Sequence, residues 1–202
     1  TSSLRSNPLR LSEFTLSRKD PAYVGRAKAT QALETARLAN AADAALLDNV
    51  RALCAALNSA DAAAYAALCG SSLADTGIGS TIFALKPGDG SAREQAASCQ
   101  KVLGGWANLA ADYATKRYRS NLINWGMLPL IADADLAQRL HVDDVIALPH
   151  IRKAIAEKQE RIQGWLLPAG GASAQPLTFT LSGLTDDERQ IILDGCLINF
   201  YN

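Results

Sequence analysis

The stretch KPGDGSAREQAA at residues 86–97 contains the residues best suited to chemistry, a serine and an arginine behind a glycine-rich turn. Ser91 and Arg93 stand where the turn gives way to a helical pattern. The first turn of a helix presents unpaired N–H groups and the positive end of the helix dipole, which stabilise a negatively charged oxygen. The guanidinium of Arg93 can grip a carboxylate in two places. Gly88 and Gly90 leave the backbone open to close approach, because they carry no side chain.

The same residues also fit a structural role. Ser91 and Glu94 match the capping box S-x-x-E, in which a serine side chain closes the first turn of a helix. Thr185 and Glu188 repeat this pattern near the end of the chain. Serine is among the preferred N-cap residues. The pattern therefore leaves two interpretations of Ser91 open, a helix cap or a group that handles a substrate.

Strand and helix patterns alternate after about residue 79, which indicates the α/β class. A helix pattern follows the glycine-rich turn and ends at a Gly-Gly pair, a second ends at Gly126, and a third closes the chain from Thr185. Residues 142–167 are expected to hold a strand, a basic helix and an edge strand. The other expected strands are STIFAL, WANLAA, MLPLIA and PLTFTLSGL.

The first part of the chain has a different composition. Up to about residue 27 it is polar, and an irregular segment is expected there. Residues 28–75 are rich in alanine and leucine at helical spacing, which predicts two antiparallel helices, the second capped by Asn58 or Ser59. We therefore predict a division into residues 1–75 and 76–202.

Charge and cysteine usage exclude several classes of function. The 202 residues carry a formal net charge of +0, which argues against a nucleic-acid partner and an anionic membrane surface. No apolar run approaches the roughly 20 residues that cross a bilayer, and the N-terminus has no signal-peptide pattern.

The cysteines lack the spacing of a zinc or cluster motif, so buried thiols in a reducing cytoplasm are expected. They are Cys54, Cys69, Cys99 and Cys196.

Three segments resemble the aconitase and isopropylmalate isomerase superfamily. GDGSAREQAA is similar to the family's G-x-G-S-S-R-E-x-A loop, and YATKRYRSNLINWGMLPL to its helix and strand carrying R-S-N-L-x-x-x-G-x-L-P-L. The ending LTFTLSGLTDDERQIILDGCLINF resembles the family's last strand and helix. The resemblance covers residue 80 to the C-terminus. It implies the swivelling β/β/α domain of aconitase type, with the alanine-rich helices as an insertion or annex.

The resemblance also implies a function. The family's hydro-lyases and isomerases act on hydroxy polycarboxylic acids with a [4Fe–4S] cluster, which would be bound by other domains in the same polypeptide or a large subunit. Ser91 matches the first serine of the family's Ser-Ser-Arg, and because a serine of that loop serves as catalytic base, Ser91 is the sole candidate for the base here. Arg93 matches the arginine that binds a substrate carboxylate, and Gly90 is expected to contact the substrate. No metal ligand is expected in this chain, and the isolated chain is expected to be inactive.

Some positions differ from the family pattern. Ala92 replaces the second serine, Gln95 stands where histidine is common, and the upstream T-T-D-H-I segment has no clear counterpart. Arg26 is either the upstream substrate arginine or a solvated charge. Two alternatives therefore stay open: a degenerate, non-catalytic binding or assembly domain, and a separate small subunit of the isopropylmalate isomerase type. The missing initiator methionine favours a piece of a longer polypeptide over a separate subunit.

Overall fold

The N-terminal part of the chain is helical. The computed structural model describes residues 4, 6–39, 55, 57–70 and 76–202. Helix α1 spans Pro8–Ser17 and helix α2 spans Tyr23–Leu38. Asn7 caps α1 by accepting a hydrogen bond from the Arg10 N–H at 3.1 Å. The prediction of an irregular segment up to residue 27 was therefore wrong, since an asparagine cap followed by proline at the first helical position starts a helix there.

The predicted alanine-rich helical pair lies only partly within the described residues. Helix α2 covers its beginning, whereas residues 40–54, 56 and 71–75, with Cys54, lie outside the described part. Helix α3 spans Ala62–Tyr65 and continues into a π-helical turn at Ala66–Gly70.

The cap of helix α3 differs from the prediction. Asp61 accepts a hydrogen bond from the Ala64 N–H at 3.0 Å and so caps the helix. Asn58 and Ser59 lie within the helical residues that precede Asp61. The prediction that one of them caps the helix was wrong, because the carboxylate closer to the first turn takes that role.

Residues 76–202 alternate strands with helices, and the α/β prediction is confirmed. The expected strands and helices in this part all form. In chain order they are β1 (Ser80–Ala84), α4 (Arg93–Val102), β2 (Gly105–Ala110), α5 (Lys116–Asn124), β3 (Leu128–Ile131), α6 (Leu136–Arg139), β4 (Val145–Ala147), α7 (Ile151–Ala156), β5 (Arg161–Leu167), β6 (Gln175–Thr180), α8 (Asp186–Asp194) and α9 (Leu197–Phe200).

The chain divides into two compact units. The first consists of residues 1–32, 78–134 and 184–202, and the second of residues 33–77 and 135–183. The division predicted at residues 75 and 76 stays a prediction.

Three parallel strands form the sheet of the first unit. Strand β2 pairs with β1 on one side and with β3 on the other. The core beside them is apolar, and its buried members are Ala97, Ala110, Tyr113, Tyr118, Leu122 and Met127. Because the strands are parallel, the loops that follow them lie at one edge of the sheet, where α/β proteins commonly bind ligands. The glycine-rich loop is one of these.

Three antiparallel strands form the sheet of the second unit. Strand β5 pairs with β4 through Ile146 and Leu166, and with β6 through Ile162 and Phe179. The prediction that β5 is an edge strand was wrong. It lies in the middle because both neighbouring strands pair with it, and Ile162 and Leu166 are accordingly buried.

Helix α8 begins with the predicted capping box. The Thr185 hydroxyl accepts a hydrogen bond from the Glu188 N–H at 3.1 Å, and the Glu188 carboxylate accepts one from the Thr185 N–H at 2.9 Å. We expect Thr185→Ala to lower the free energy of unfolding by about 1 kcal/mol, measured by urea denaturation. Glu188→Gln should cost less, because the amide oxygen still accepts the bond. An unchanged midpoint in Thr185→Ala would contradict the role of the box.

Candidate functional site

The glycine-rich loop joins the carboxyl end of β1 to the start of α4. Ser91 and Gly90 are both exposed, and Arg93, the first residue of α4, is half-buried. A Cβ added to Gly90 would meet nothing within 4 Å, so the space around this backbone is open. The three predicted site residues therefore lie close together in the chain, Gly90 and Ser91 on this exposed loop and Arg93 at the first position of α4.

Ser91 is not a helix cap. The N-cap of α4 is Ala92, with φ −90° and ψ 51°, and no side chain in the described part of the chain caps the helix. The Ser91 hydroxyl makes no hydrogen bond to any residue that the structure describes. The Glu94 carboxylate, the other half of the expected box, instead accepts a hydrogen bond from Trp125 Nε1 at 3.1 Å. The capping interpretation of Ser91 was therefore wrong, because the helix starts one residue later and its glutamate is engaged elsewhere.

The uncapped start of α4 has an electrostatic consequence. The N–H groups of a first helical turn have no partners within the helix, and the helix dipole places partial positive charge there. At α4 no side chain of the described residues accepts a hydrogen bond from these groups. Because Ser91 directly precedes the N-cap and is exposed, an anion bound beside it would meet this positive end.

Arg93 is held by the backbone of the same loop. Its Nε donates a hydrogen bond to the carbonyl oxygen of Gly88 at 3.1 Å, and the Thr115 hydroxyl donates to the same oxygen at 3.0 Å. Neither terminal nitrogen of the Arg93 guanidinium bonds to a residue of the described ranges. Gly88 has φ +99°, and a Cβ there would lie 2.5 Å from that of Tyr118. Only glycine fits this position without strain.

The loop after β2 supports the glycine-rich loop. The Asp112 N–H donates to the Leu85 carbonyl at 3.0 Å, and the Ala114 N–H donates to the Pro87 carbonyl at 2.9 Å. Lys86 and Asp112 form an ion pair at 3.2 Å, and this lysine holds the pKa of the Asp112 carboxyl below its usual range. Two backbone hydrogen bonds and one exposed ion pair therefore join the two loops.

A buried polar cluster underlies these loops. The Tyr118 hydroxyl donates to Asn108 Oδ1 at 2.8 Å and accepts from Gln100 Nε2 at 3.0 Å. The Tyr113 hydroxyl donates to the Asn108 carbonyl at 3.1 Å. Burial raises the pKa of both phenols, so they remain donors at neutral pH. The cluster joins α4, β2 and α5, the elements on which the loops rest.

Thr115 is the residue of this site that sequence reasoning missed. It caps α5 by accepting a hydrogen bond from the Tyr118 N–H at 3.2 Å, and it also holds the Gly88 carbonyl. A threonine before the helical pattern KRYRSNLIN is a readable N-cap signal. Its contact with the glycine-rich loop, 27 residues away, has no signal in the local sequence.

The position of Ser91 predicts a stability result. Because the hydroxyl makes no capping bond, we expect Ser91→Ala to leave the free energy of unfolding within about 0.5 kcal/mol of the parent value, measured by urea denaturation. A capping serine would cost about 1 kcal/mol when replaced by alanine. A loss of that size would restore the capping interpretation.

The remaining predicted groups lie outside this loop. Arg26 forms an ion pair with Asp20 and lowers the pKa of that carboxyl through their hydrogen bond. Within the described residues, no three His, Cys, Asp or Glu side chains are grouped to hold a metal ion. Cys99 is buried and Cys196 is half-buried, both as free thiols. The described residues therefore do not offer the thiolate set that a [4Fe–4S] cluster requires.

In the described part of the chain, no helix has both the length and the apolar character that spanning a bilayer requires.

The chain is similar to a protein family and to a solved structure. A family model described as the aconitase C-terminal domain matches residues 29–135, more than half of the chain. A crystal structure of 3-isopropylmalate dehydratase from Methanocaldococcus jannaschii is 29% identical, with a TM-score of 0.42 over 60% of this chain and 62% of that one. The chain thus spans less than two thirds of that protein. A search of curated protein sequences found no significant match.

Proposed function

This chain belongs to the aconitase C-terminal domain family, and from that membership we propose that it contributes a serine base and a carboxylate-binding arginine to a hydro-lyase or isomerase. The substrate would be a small hydroxy polycarboxylic acid. Ser91 takes the role of base, Arg93 that of the carboxylate clamp, and Gly90 lets the substrate approach the backbone.

One observation carries this proposal: Ser91 is exposed and free of bonds within the described structure, directly before an uncapped helix whose first residue is Arg93. A free serine hydroxyl is far too weak a base to remove a proton from carbon. Its alkoxide is favoured where a helix N-terminus and a guanidinium supply positive charge. A helix that needed Ser91 as its cap would compete for the same oxygen.

The chemistry of this chain is a proton transfer. The Ser91 oxygen accepts a proton from the carbon beside a substrate carboxylate, and the terminal nitrogens of Arg93 hold a carboxylate and keep that carbon in place. Negative charge that develops next to the carboxylate is stabilised by the same guanidinium. Ser91 and Arg93 therefore act at the same carboxylate-bearing end of the substrate.

The departing hydroxyl needs a Lewis acid, which the family's [4Fe–4S] cluster supplies. Because the described residues of this chain offer no ligand set for it, we propose that the cluster is held by other aconitase domains, in the same polypeptide or in a large subunit. The isolated chain would then be catalytically silent. Cys99 and Cys196 are free thiols, which suits a reducing cytoplasm.

A non-catalytic binding or assembly role is the second candidate. Ala92, which stands in place of the family's second serine, favours it. The two candidates differ in what Arg93 does, because only a catalytic loop needs a carboxylate bound beside Ser91.

Turnover by the complete protein tests the proposal. We would reconstitute it anaerobically with iron and sulfide and assay citrate, isocitrate, methylcitrate and isopropylmalate. Arg93→Lys should lower kcat/KM for the substrate roughly 10- to 100-fold, because a charge-assisted bidentate contact is lost. Arg161→Lys, a matched change at an exposed arginine of β5, should leave kcat/KM unchanged. A cluster-loaded protein that turns over none of the four acids would favour the non-catalytic role.

A further inference from the structure

A single backbone carbonyl, that of Gly88, accepts hydrogen bonds from side chains at the starts of two helices. Arg93 Nε at the start of α4 donates at 3.1 Å, and the Thr115 hydroxyl at the start of α5 donates at 3.0 Å. We infer that Thr115 is a positioning residue, which holds this carbonyl so that Arg93 presents its two terminal nitrogens to a substrate carboxylate. The inference rests on the proposed function and adds a residue that the family resemblance did not supply.

The hydroxyl of Thr115 has a defined direction. One lone pair accepts the Tyr118 N–H at 3.2 Å, so the hydroxyl proton is directed to the Gly88 carbonyl. Gly88 in turn packs against Tyr118 with φ +99°. The carbonyl has two lone pairs and can serve both donors at once. Thr115 therefore fixes the acceptor that Arg93 needs.

The bond at Nε determines which edge of the guanidinium is available. The group is planar, and its donors lie in a rigid fork. Because the Gly88 carbonyl occupies Nε, the edge left for a carboxylate is the one formed by the two terminal nitrogens, approached end-on. A side chain already held in this orientation loses less rotamer freedom when substrate binds.

Hydrogen exchange at the Arg93 Nε–H tests the geometry directly. It would be measured by NMR on the full 202-residue chain, with the signal assigned from its loss in Arg93→Lys. Thr115→Val keeps the shape of threonine and removes the hydroxyl. Exchange of the Arg93 Nε–H should then become about tenfold faster or more, because the Gly88 carbonyl that accepts its hydrogen bond is no longer held in place. Thr115→Ser should restore the parent rate. An unchanged rate in Thr115→Val would overturn the inference.

The cap that Thr115 provides to α5 needs a matched control. The Thr185 side chain bonds the Glu188 N–H and not the glycine-rich loop, so Thr185→Val removes the same kind of cap from α8 alone. Both variants should lose similar stability, whereas only Thr115→Val should change the exchange of Arg93. Thr115→Asp adds a second test that does not depend on a weakened fold, because aspartate caps a helix but has no proton to donate at neutral pH. If Thr115→Asp matched the parent chain in exchange of the Arg93 Nε–H and in affinity for citrate, the inference would fail.

Citrate titration links the geometry to binding. We expect Thr115→Val to raise the Kd for citrate roughly 3- to 10-fold, with Thr115→Ser and Thr185→Val at the parent value. Arg93→Gln distinguishes a failure of the proposed function from a failure of the positioning role of Thr115. If it leaves the citrate Kd unchanged, or if the parent chain binds none of citrate, isocitrate, methylcitrate and isopropylmalate, the proposed function fails at this loop. If Arg93→Gln weakens binding while Thr115→Val does not, the proposed function stands and the positioning role is overturned.

Discussion

Replacing Ser91 with alanine is expected to lower kcat of the reconstituted protein by roughly 10²- to 10⁴-fold, the usual contribution of a general base. KM for the substrate should change little, because the carboxylate contact belongs to Arg93. Initial rates with saturating acid, measured on protein with matched iron content, would show the loss. Because Ser91 caps nothing, the effect should come without a fall in stability.

The matched control lies on the same helix. Ser98 is a half-buried serine of α4 whose hydroxyl bonds the Gln95 carbonyl at 3.3 Å, and Ser98→Ala should leave kcat within about twofold, since it lies outside the loop. Moving the hydroxyl by one position, in the double variant Ser91→Ala and Ala92→Ser, should not restore the rate. If Ser91→Ala turned over as fast as the parent protein, Ser91 would have no part in the proton transfer.

Two copies of one sequence pattern show what local sequence can predict. Thr185 with Glu188, and Ser91 with Glu94, both match the capping box, yet only the first pair forms it. At α8 neither Thr185 nor Glu188 has a side-chain hydrogen bond to a distant residue that the structure describes. At α4 the glutamate bonds Trp125, 31 residues away. Local patterns therefore predicted the helix in both cases, but its cap only where the bonds are local.

The strands and helices, like the helix caps, could be predicted where local sequence determines them. Alternating strand and helix patterns predicted the strands and the longer helices of residues 76–202, because hydrophobic period reports burial along one element. The four-residue helices α6 and α9 were not predicted. The central place of β5 was missed, since it depends on pairing with β4 and β6 rather than on its own residues. At the site, the residue types of Ser91 and Arg93 could be read from the loop. The bond of Thr115 to Gly88 could not, because it joins two loops that only the sheet brings together.

Gly126→Ala is expected to be the most destabilising small change at the end of α5. Gly126 has φ +67° and closes the helix: its N–H bonds the Ile123 carbonyl at 2.8 Å, and the Met127 N–H bonds the Leu122 carbonyl at 2.9 Å. A Cβ at this position would overlap the carbonyl group of Gly195, which follows α8. The left-handed backbone costs about 1–2 kcal/mol for a residue with a Cβ, and overpacking about 1–3 kcal/mol.

The expected loss for Gly126→Ala is therefore about 2–5 kcal/mol in the free energy of unfolding, measured by urea denaturation. Gly183 provides the matched control, because its φ is +66° and a Cβ there would meet nothing within 4 Å. Gly183→Ala should cost only the backbone part, about 1–2 kcal/mol. Equal losses in the two variants would mean that α5 is not held against the residue after α8. A larger loss at Gly126 would show that this contact stabilises α5, the helix whose N-cap is Thr115.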